Sequence, residues 1–188
     1  MNYELWIGIS WIVFIVVWMI SALAAKPEVR RQSTGSALLH RFAFLAAVLL
    51  LFTHIPLPGG LDLRLIPKTR TVLSIALAMT VVGIGFAFCA RFYLGGNWSS
   101  NVTIKRDHEL VRSGPYTFVR HPIYSGILLA LLGTVLEMGE VRSLLGLALA
   151  MVGLKMKSAM EEKFMTQQFG PQYAEYKREV KGIIPFVW

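Results

Sequence analysis

The stretch that organises this chain is the polar interval from Lys105 to Gly126, which reads KRDHELVRSGPYTFVRHPIYSG. It is the longest polar interval in a mostly apolar sequence, and it holds two of the four histidines, His108 and His121. An apolar run from Ile123 to Met138 begins immediately after Pro122. Polar groups placed between apolar segments must be hydrogen-bonded or must bind something, because an unpaired polar group away from water is costly. We therefore expect the chemistry of the protein in this interval.

The composition indicates a membrane protein. Of the 188 residues, 55% are hydrophobic and 16% are charged, whereas about a quarter of a soluble domain is charged. We expect residues 1–188 to form a single integral membrane domain. The net charge of +8 does not indicate nucleic acid, since the basic residues lie between apolar runs and not on one amphipathic face. The single cysteine, Cys89, excludes an internal disulfide and a multi-cysteine metal site.

Apolar runs predict an all-α fold with about five transmembrane helices and a helical hairpin near the C-terminus. The runs are Leu5–Ala25, Phe42–Leu57, Val72–Leu94, Ile123–Met138 and Leu144–Met156. In the third run, Gly83 and Gly85 predict close approach of a neighbouring helix. The fifth run continues with helix-forming residues, so its helix should run unbroken past the membrane surface to about Gln168. Phe169, Gly170 and Pro171 should end it.

The distribution of basic residues predicts the orientation. Fifteen of the 19 lysines and arginines fall in residues 26–41, in residues 91–121 and in the tail from Lys155, and four fall in residues 58–71 and the hairpin turn. The positive-inside rule then places the polar interval and the tail together in the cytoplasm, with the N-terminus outside. We expect a multi-pass protein, of the inner membrane if the source is prokaryotic. Arg91 should extend to the cytoplasmic interface. The tail from Tyr173, which is basic and aromatic, should also suit the interface.

Each polar feature of the interval has a structural explanation when taken alone. His121-Pro122 could simply start a helix, Arg120 could bind a lipid phosphate, and Tyr116 and Tyr124 could be interfacial aromatics. Likewise, Glu161-Glu162 could be a solvated helix face. The histidines have no metal-site spacing and no serine elbow is present, which disfavours metal-dependent hydrolysis and serine catalysis.

The combination of these features is more specific than its parts. It resembles the isoprenylcysteine carboxyl methyltransferase family, which is related to the phospholipid N-methyltransferases, over roughly residues 80–188. The matching positions are Asn97-Trp98-Ser99, His108-Glu109-Leu110-Val111, Gly114-Pro115-Tyr116, Arg120-His121-Pro122 with Tyr124 and Gly126, Glu161-Glu162, Phe169-Gly170, Tyr173, Tyr176 and Ile184-Pro185-Phe186. The match is a strong signal for the superfamily and a weak one for the methyl acceptor.

The resemblance implies S-adenosylmethionine as the methyl donor and S-adenosylhomocysteine as the product. The cofactor would bind without a Rossmann fold, in a cytoplasmic pocket within residues 72–188, while residues 1–71 would supply N-terminal helices. By match to the family motif, the cofactor-binding residues would be His108, Leu110, Val111, Gly114, Tyr116, His121, Pro122, Tyr124 and Glu161. The catalytic residues would be Arg120, Lys157 and Glu161, and no metal is implied.

This chemistry is compatible with the residue types. Aromatic faces and a carboxylate can stabilise a sulfonium cation. A carboxylate or thiolate acceptor needs positioning and partial desolvation, whereas an amine acceptor also needs a base. The family tends to carry an arginine one turn before the Glu pair, but here Lys155-Met156-Lys157 occupies that place, and lysine lacks the planar fork that grips a carboxylate in two bonds. The acceptor would be lipophilic and enter from the bilayer.

Several acceptors, one other enzyme class and a non-catalytic membrane protein that kept the fold stay open. The first choice is a carboxylate of the isoprenylcysteine type. The alternatives are a phospholipid amine, a small thiol or acid, and a relative of the NADPH-dependent sterol reductases. Adjacent residues of a helix point about 100° apart, so Glu161 and Glu162 should not both face one pocket. We expect Glu161 to be functional and Glu162 to be structural or solvated.

Overall fold

A computed structural model describes residues 1–23, 28–31, 34–53, 56–98, 103–105 and 110–184. The predicted site residue His108, and the last motif positions Pro185 and Phe186, lie outside these described residues. The helices are α1 Tyr3–Ala22, α2 Thr34–Phe52, α3 Arg70–Leu94, α4 Pro122–Met138, α5 Val141–Phe169 and α6 Pro171–Glu179. Two short strands, β1 Glu28–Arg31 and β2 Thr103–Lys105, pair antiparallel.

The predicted class, a helical integral membrane protein, is confirmed. Three helices, α1, α3 and α5, are long and apolar enough to cross a membrane. The apolar part of α2 in residues 41–52 and the whole of α4 are shorter apolar helices. The α4–α5 hairpin has a tight turn at Gly139, whose φ of 65° is left-handed and suits glycine.

Local sequence signals account for most helix ends. Thr69 caps α3 by accepting a hydrogen bond from the Val72 N–H at 3.2 Å, and Pro122 begins α4 where its missing N–H costs nothing. The predicted unbroken fifth helix is confirmed, since α5 runs from Val141 to Phe169 and stops before Gly170.

The predicted bounds of the second helix are wrong. It begins at Thr34 instead of Phe42 and ends at Phe52 instead of Leu57. The apolar run starts only after Arg41, but the residues before it form the first turns of the same helix. At the other end, prolines at positions 56 and 58 cannot donate to a helical ladder, although the residues around them are apolar. The predicted basic loop 26–41 therefore contains a strand and a helix start.

Small residues let α3 and α4 approach closely. A Cβ added to Gly83 would lie 2.5 Å from the backbone nitrogen of Ala130 and 2.5 Å from the carbonyl oxygen of Gly126. The prediction for Gly83 is thus confirmed, but the same prediction for Gly85 is wrong, because a Cβ there would meet nothing within 4 Å. The buried Thr80 hydroxyl of α3 strengthens the contact by donating to the Ala130 carbonyl of α4 at 3.3 Å.

The polar segments sort into two groups at opposite ends of the helices. At one end, the Leu65 N–H donates to the carbonyl of Gly139 at 2.7 Å, which joins residues 56–69 to the α4–α5 turn. At the other end, β1 pairs with β2, and the Arg120 N–H donates to the Lys181 carbonyl at 2.8 Å. The count of basic residues places the same segments together, and the prediction that this second end faces the cytoplasm rests on that count.

Arg91 does not extend to the interface as predicted. It is 3% exposed, and its guanidinium donates to the carbonyls of Gly95, at 2.9 Å, and Ser21. The carbonyls of the last turn of a helix have no partner within the helix, so a buried arginine on α3 satisfies one of them at the end of α1. Arg91 thereby ties α1 to α3.

The two glycines of α3 give a matched test of this packing. We expect Gly83→Ala to destabilise the protein by about 1–3 kcal/mol, because the added methyl group meets backbone atoms that cannot move aside. Gly85→Ala is the control, and we expect it to be neutral or slightly stabilising, since alanine is the better helix former. Thermal unfolding in detergent measures both. Equal melting temperatures for the two variants would contradict the close contact at Gly83.

Candidate functional site

The polar interval leads into α4 through a tight turn. Gly114 opens a 3₁₀ turn, Gly114–Thr117, with a φ of 58°. The ring of Tyr93 occupies the space of its missing Cβ, 2.3 Å from where that atom would lie, so only glycine fits. Leu110 and Val111, just before the turn, are half-buried. Residue His121 then caps α4 in a non-helical conformation.

The C-terminal segment closes against the start of α4. The His121 N–H donates to the carbonyl of Gly182 at 2.9 Å, and the Ser125 hydroxyl donates to that of Ile183. Val119 also forms an isolated parallel bridge with Lys181. The expectation that the polar interval and the tail build one region is therefore met in the geometry.

The imidazole of His121 lies between two carboxylates of α5. Its Nδ1 is 3.4 Å from Glu161 Oε2, and its Nε2 is 3.3 Å from Glu162 Oε1. The ring stacks on Tyr124, with centroids 5.4 Å apart and planes at 6°. Burial by itself lowers the pKa of His121, but the bonds and charges of the two carboxylates outweigh it, so the pKa is raised above its ordinary value. The site thus favours a protonated imidazole.

Glu161 faces the aromatic side of this cluster. The Tyr124 hydroxyl donates to its Oε1 at 2.5 Å. The ammonium group of Lys157, one turn earlier on α5, lies 5.6 Å from the centroid of the Tyr124 ring, within the range of a cation–π contact. Glu161, Tyr124 and Lys157 therefore form a polar surface made of one carboxylate, one aromatic face and one cation.

Glu162 is surrounded by cations. Its Oε1 accepts bonds from Arg120, at 2.9 Å from Nε and 2.5 Å from Nη2, and its Oε2 lies 2.8 Å from the ammonium of Lys177. Arg120 also donates through Nη1 to the backbone carbonyls of Lys177 and Val180. All three nitrogens of Arg120 are thus occupied, and this network joins the start of α4 to α5 and α6.

The expectation that the two glutamates could not face one pocket is wrong. Both carboxylates reach His121, one at each ring nitrogen. The two Cβ atoms do point in different directions, but each side chain is long enough to turn toward an imidazole that lies between those directions. Their other partners differ as expected, since Glu161 meets a tyrosine and Glu162 meets two cations.

The tail aromatics are also buried and not interfacial. Tyr173 and Tyr176, on α6, are 2% and 3% exposed, and the Tyr176 hydroxyl donates to the Tyr116 carbonyl at 2.5 Å. Burial raises the pKa of Tyr176 to about 12. Tyr116 is buried with Trp98 and Tyr124 in one cluster, against which Val111 packs. The predicted interval and α6 are consequently held together by tyrosines.

Sequence reasoning missed two residues of this region. Lys177 pairs with Glu162, and its only signal was its place in the last turn of α6, where a basic residue is favourable. Ser125 binds the tail, but a hydroxyl one turn into a helix gave no signal. Pro122, predicted for the cofactor, is fully buried at the start of α4.

An open groove lies beside Glu162, between α5 and α6. It has a volume of about 490 Å³ and is lined by Ala159, Glu162, Lys163, Thr166, Gln167 and Lys177. One oxygen of Glu162 thus faces the buried histidine, and the other binds a lysine of the groove wall. The arrangement combines an aromatic interior, paired carboxylates and fixed cations, which suits a ligand that carries both positive and negative charge.

Comparison with known proteins identifies relatives of this segment. Residues 76–167 match the model of the isoprenylcysteine carboxyl methyltransferase family. Protein-S-isoprenylcysteine O-methyltransferase B of Arabidopsis thaliana is 31% identical over 121 residues, covering 62% of this chain and 60% of that protein. The Schizosaccharomyces pombe protein-S-isoprenylcysteine O-methyltransferase is 32% identical over 115 residues, covering 60% and 49%. The chain thus spans only about half to three fifths of the length of these relatives.

A solved structure has the same fold. It is that of a eukaryotic intramembrane Ras methyltransferase, an isoprenylcysteine carboxyl methyltransferase, which superposes with a TM-score of 0.52 at 24% identity. The match covers 82% of this chain and 52% of the other. The family model, the curated relatives and the fold agree with the motifs around His121 and the Glu pair. The chain is thus similar to isoprenylcysteine carboxyl methyltransferases over residues 76–167, which contain most of α3, all of α4 and most of α5.

Proposed function

We propose that this protein is an S-adenosylmethionine-dependent methyltransferase that acts on a lipophilic acceptor entering from the bilayer. The observation that carries the proposal is the position of the His121 ring between the carboxylates of Glu161 and Glu162. All three residues lie within the segment that matches the family model. The pocket would open to the cytoplasm, with the N-terminus on the other side of the membrane, because the end of the molecule that holds the site carries most of the basic residues.

The residues present fit the cofactor. S-adenosylmethionine carries a sulfonium and an ammonium cation, and the site offers the Glu161 carboxylate beside the ring of Tyr124. Its amino acid end also carries a carboxylate, which backbone N–H groups can meet. In this proposal, His121, Tyr124 and Glu161 hold the cofactor, together with Leu110, Val111, Gly114, Tyr116 and Pro122.

The chain's own residues would position the reactants. S-adenosylmethionine supplies a methyl group on a cationic sulfur, and transfer to a carboxylate breaks the S–CH₃ bond and forms an O–CH₃ bond without releasing a proton. Tyr124 orients Glu161 through its hydroxyl, and Lys157 places a positive charge over the same ring. Arg120 keeps Glu162 and the backbone of the tail in place. Catalysis would rest on orientation and exclusion of water.

The acceptor that fits best is a carboxylate of the isoprenylcysteine type. Residues 76–167 match the model of a family of that name, and a carboxylate needs no general base. A phospholipid amine would have to lose a proton, and the described site holds its carboxylates in bonds to His121, Tyr124 and Arg120. Phospholipid amines and small thiols or acids are the alternative acceptors that the assay must separate.

The function is tested in two steps with the purified protein in detergent. Isothermal titration with S-adenosylhomocysteine and with NADPH separates a methyltransferase from a reductase, and we expect only the first ligand to bind. Transfer from radiolabelled S-adenosylmethionine to prenylcysteine, phospholipid, thiol and fatty acid acceptors then identifies the acceptor. Binding of NADPH alone, or of neither ligand, would contradict the proposal.

Two substitutions test the cofactor site. We expect His121→Ala and Tyr124→Ala each to weaken S-adenosylhomocysteine binding by about 1–3 kcal/mol, because each removes a buried polar partner. Isothermal titration measures the affinity, and the melting temperature shows whether the variant is folded. The control is Tyr93→Phe, which keeps the ring that packs on Gly114 and should bind normally. Unchanged affinity in both folded alanine variants would overturn the site assignment.

The two glutamates should differ in their roles. We expect Glu161→Gln to lower turnover at least tenfold, about 1.4 kcal/mol in the barrier, because it removes the charge beside Tyr124. Glu162→Gln should instead lower stability by about 3 kcal/mol, since it leaves the largely buried Arg120 without its carboxylate. Turnover and thermal unfolding measure the two effects, and Glu175→Gln, on the exposed face of α6, is the control. A larger loss of turnover at Glu162 would reverse the assignment.

A further inference from the structure

Arg91 is a buried cation whose hydrogen bonds are incomplete. It lies in the last turn of α3, and it is 3% exposed. Its two terminal nitrogens donate to the carbonyls of Gly95 and Ser21, but its Nε is buried and donates to no acceptor. Buried donors without a partner are rare, because nothing offsets their loss of water. An unused donor of this kind calls for an explanation.

The charge of Arg91 is also not neutralised within the part of the chain that the structure describes. Its partners there are neutral carbonyls and the ring of Trp98, whose centroid is 4.4 Å from Cζ. Two other largely buried arginines do have carboxylates: Arg142 lies 2.7 Å from Glu140, and Arg120 lies 2.5 Å from Glu162. A buried charge in a membrane protein is costly unless it is paired, and it marks a functional site by default. The missing partner of Arg91 is therefore an anion.

The surroundings of Arg91 are continuous with the site. The preceding residue, Ala90, belongs to the same buried cluster as Trp98, Tyr116 and Tyr124, and its carbonyl accepts a bond from the Tyr116 hydroxyl at 3.4 Å. Burial raises the pKa of Tyr116, the Glu161 charge raises it further, and the Arg91 charge opposes them. Tyr116 therefore connects the neighbour of Arg91 to the cluster that contains Tyr124, whose hydroxyl binds Glu161.

We propose that Arg91 binds the anionic group of the methyl acceptor, a lipophilic carboxylic acid, through the unused Nε edge of its guanidinium. This inference rests on the proposed function. The lining is apolar and aromatic, with Trp18 of α1 packed against Trp98 at 5.3 Å between centroids, and it suits a hydrocarbon chain. α1 buries only 11% of its apolar span inside the protein, so the bilayer reaches this side of the site. Arg120 cannot bind the anionic group of the acceptor, since all three of its nitrogens already donate hydrogen bonds.

The same anionic chemistry could come from the amino acid end of the cofactor, and the experiment separates the two sources. An S-prenylcysteine acid and its uncharged carboxamide are titrated into the wild-type protein in detergent. We expect the acid to bind at least tenfold more tightly. In Arg91→Gln, the KM for the acid should rise at least tenfold, while the affinities for the carboxamide and for S-adenosylhomocysteine stay within twofold. Arg91→Lys keeps the positive charge but lacks the planar guanidinium, so its KM for the acid should lie between those of the wild type and Arg91→Gln.

Arg112→Gln is the matched control. Arg112 also stacks on an aromatic ring, with its Cζ 5.2 Å from the centroid of Tyr176, but it is exposed and already paired with Glu179. We expect its acid-to-carboxamide preference to equal that of the wild type. Preference for the acid that survives in Arg91→Gln would overturn the proposal.

Three other outcomes would also contradict the assignment. Equal binding of the acid and the carboxamide by the wild type would contradict the assignment of Arg91. This measurement needs no variant, so it decides the question even if Arg91→Gln does not fold. An equal loss of S-adenosylhomocysteine affinity in Arg91→Gln would assign Arg91 to the cofactor. If Arg91→Gln weakened the binding of every ligand equally and also lowered the melting temperature, the role of Arg91 would be only structural, as the residue that joins α1 to α3. Failure of the wild type to bind S-adenosylhomocysteine contradicts the proposed function, whereas the acid-to-carboxamide ratio alone decides the assignment of Arg91.

Discussion

The bonds to the carboxylate of Glu162 are the interactions on which the half of the structure that holds the candidate site depends. This carboxylate accepts bonds from Arg120 of the polar interval, from His121 at the start of α4 and from Lys177 of α6. Three separate segments of the chain therefore share one partially buried negative charge. Removing one member would leave the remaining cations without compensation, and that makes such networks costly to break. This arrangement fixes where Glu161, one residue earlier, presents its own carboxylate.

The two ends of the molecule use charges in different ways. At the end away from the site, Glu137 pairs with Lys68 at 3.1 Å and Arg142 pairs with Glu140, so the buried charges named there are matched within the chain. At the site, Arg120 is matched by Glu162, but Arg91 meets only carbonyls and an aromatic ring among the described residues. Matched pairs hold segments together, whereas an unmatched buried cation needs a ligand. This difference between the two ends is the basis for the ligand that we propose for Arg91.

Rigid packing in the membrane supports this site. Because lipid is as apolar as leucine, helices in a bilayer associate through close contact and not through the hydrophobic effect. α3 and α4 meet at Gly83, Gly126 and Gly133, where a Cβ would collide with the opposite backbone. This contact sets the spacing between Arg91 at the end of α3 and His121 at the start of α4. Gly146 plays the same part between α2 and α5, since its Cβ would meet Leu51 at 2.8 Å.

The sequence by itself determined the class of the fold, the ends of α4 and α5 before Gly139 and Gly170, and the motif around His121 that resembles a known family. These depend on local properties, namely the length of apolar runs, turn chemistry and motif spacing, which can be read without knowing which residues meet. Tertiary structure decided the rest. Both glutamates reach one imidazole, the tail tyrosines turn inward, and Arg91 is buried instead of interfacial. Each of these depends on a partner distant in sequence: Arg91 and Ser21 are 70 positions apart, and His121 and Glu162 are 41 apart. Side-chain length and helix packing decide such pairs, and neither leaves a periodic trace in the sequence.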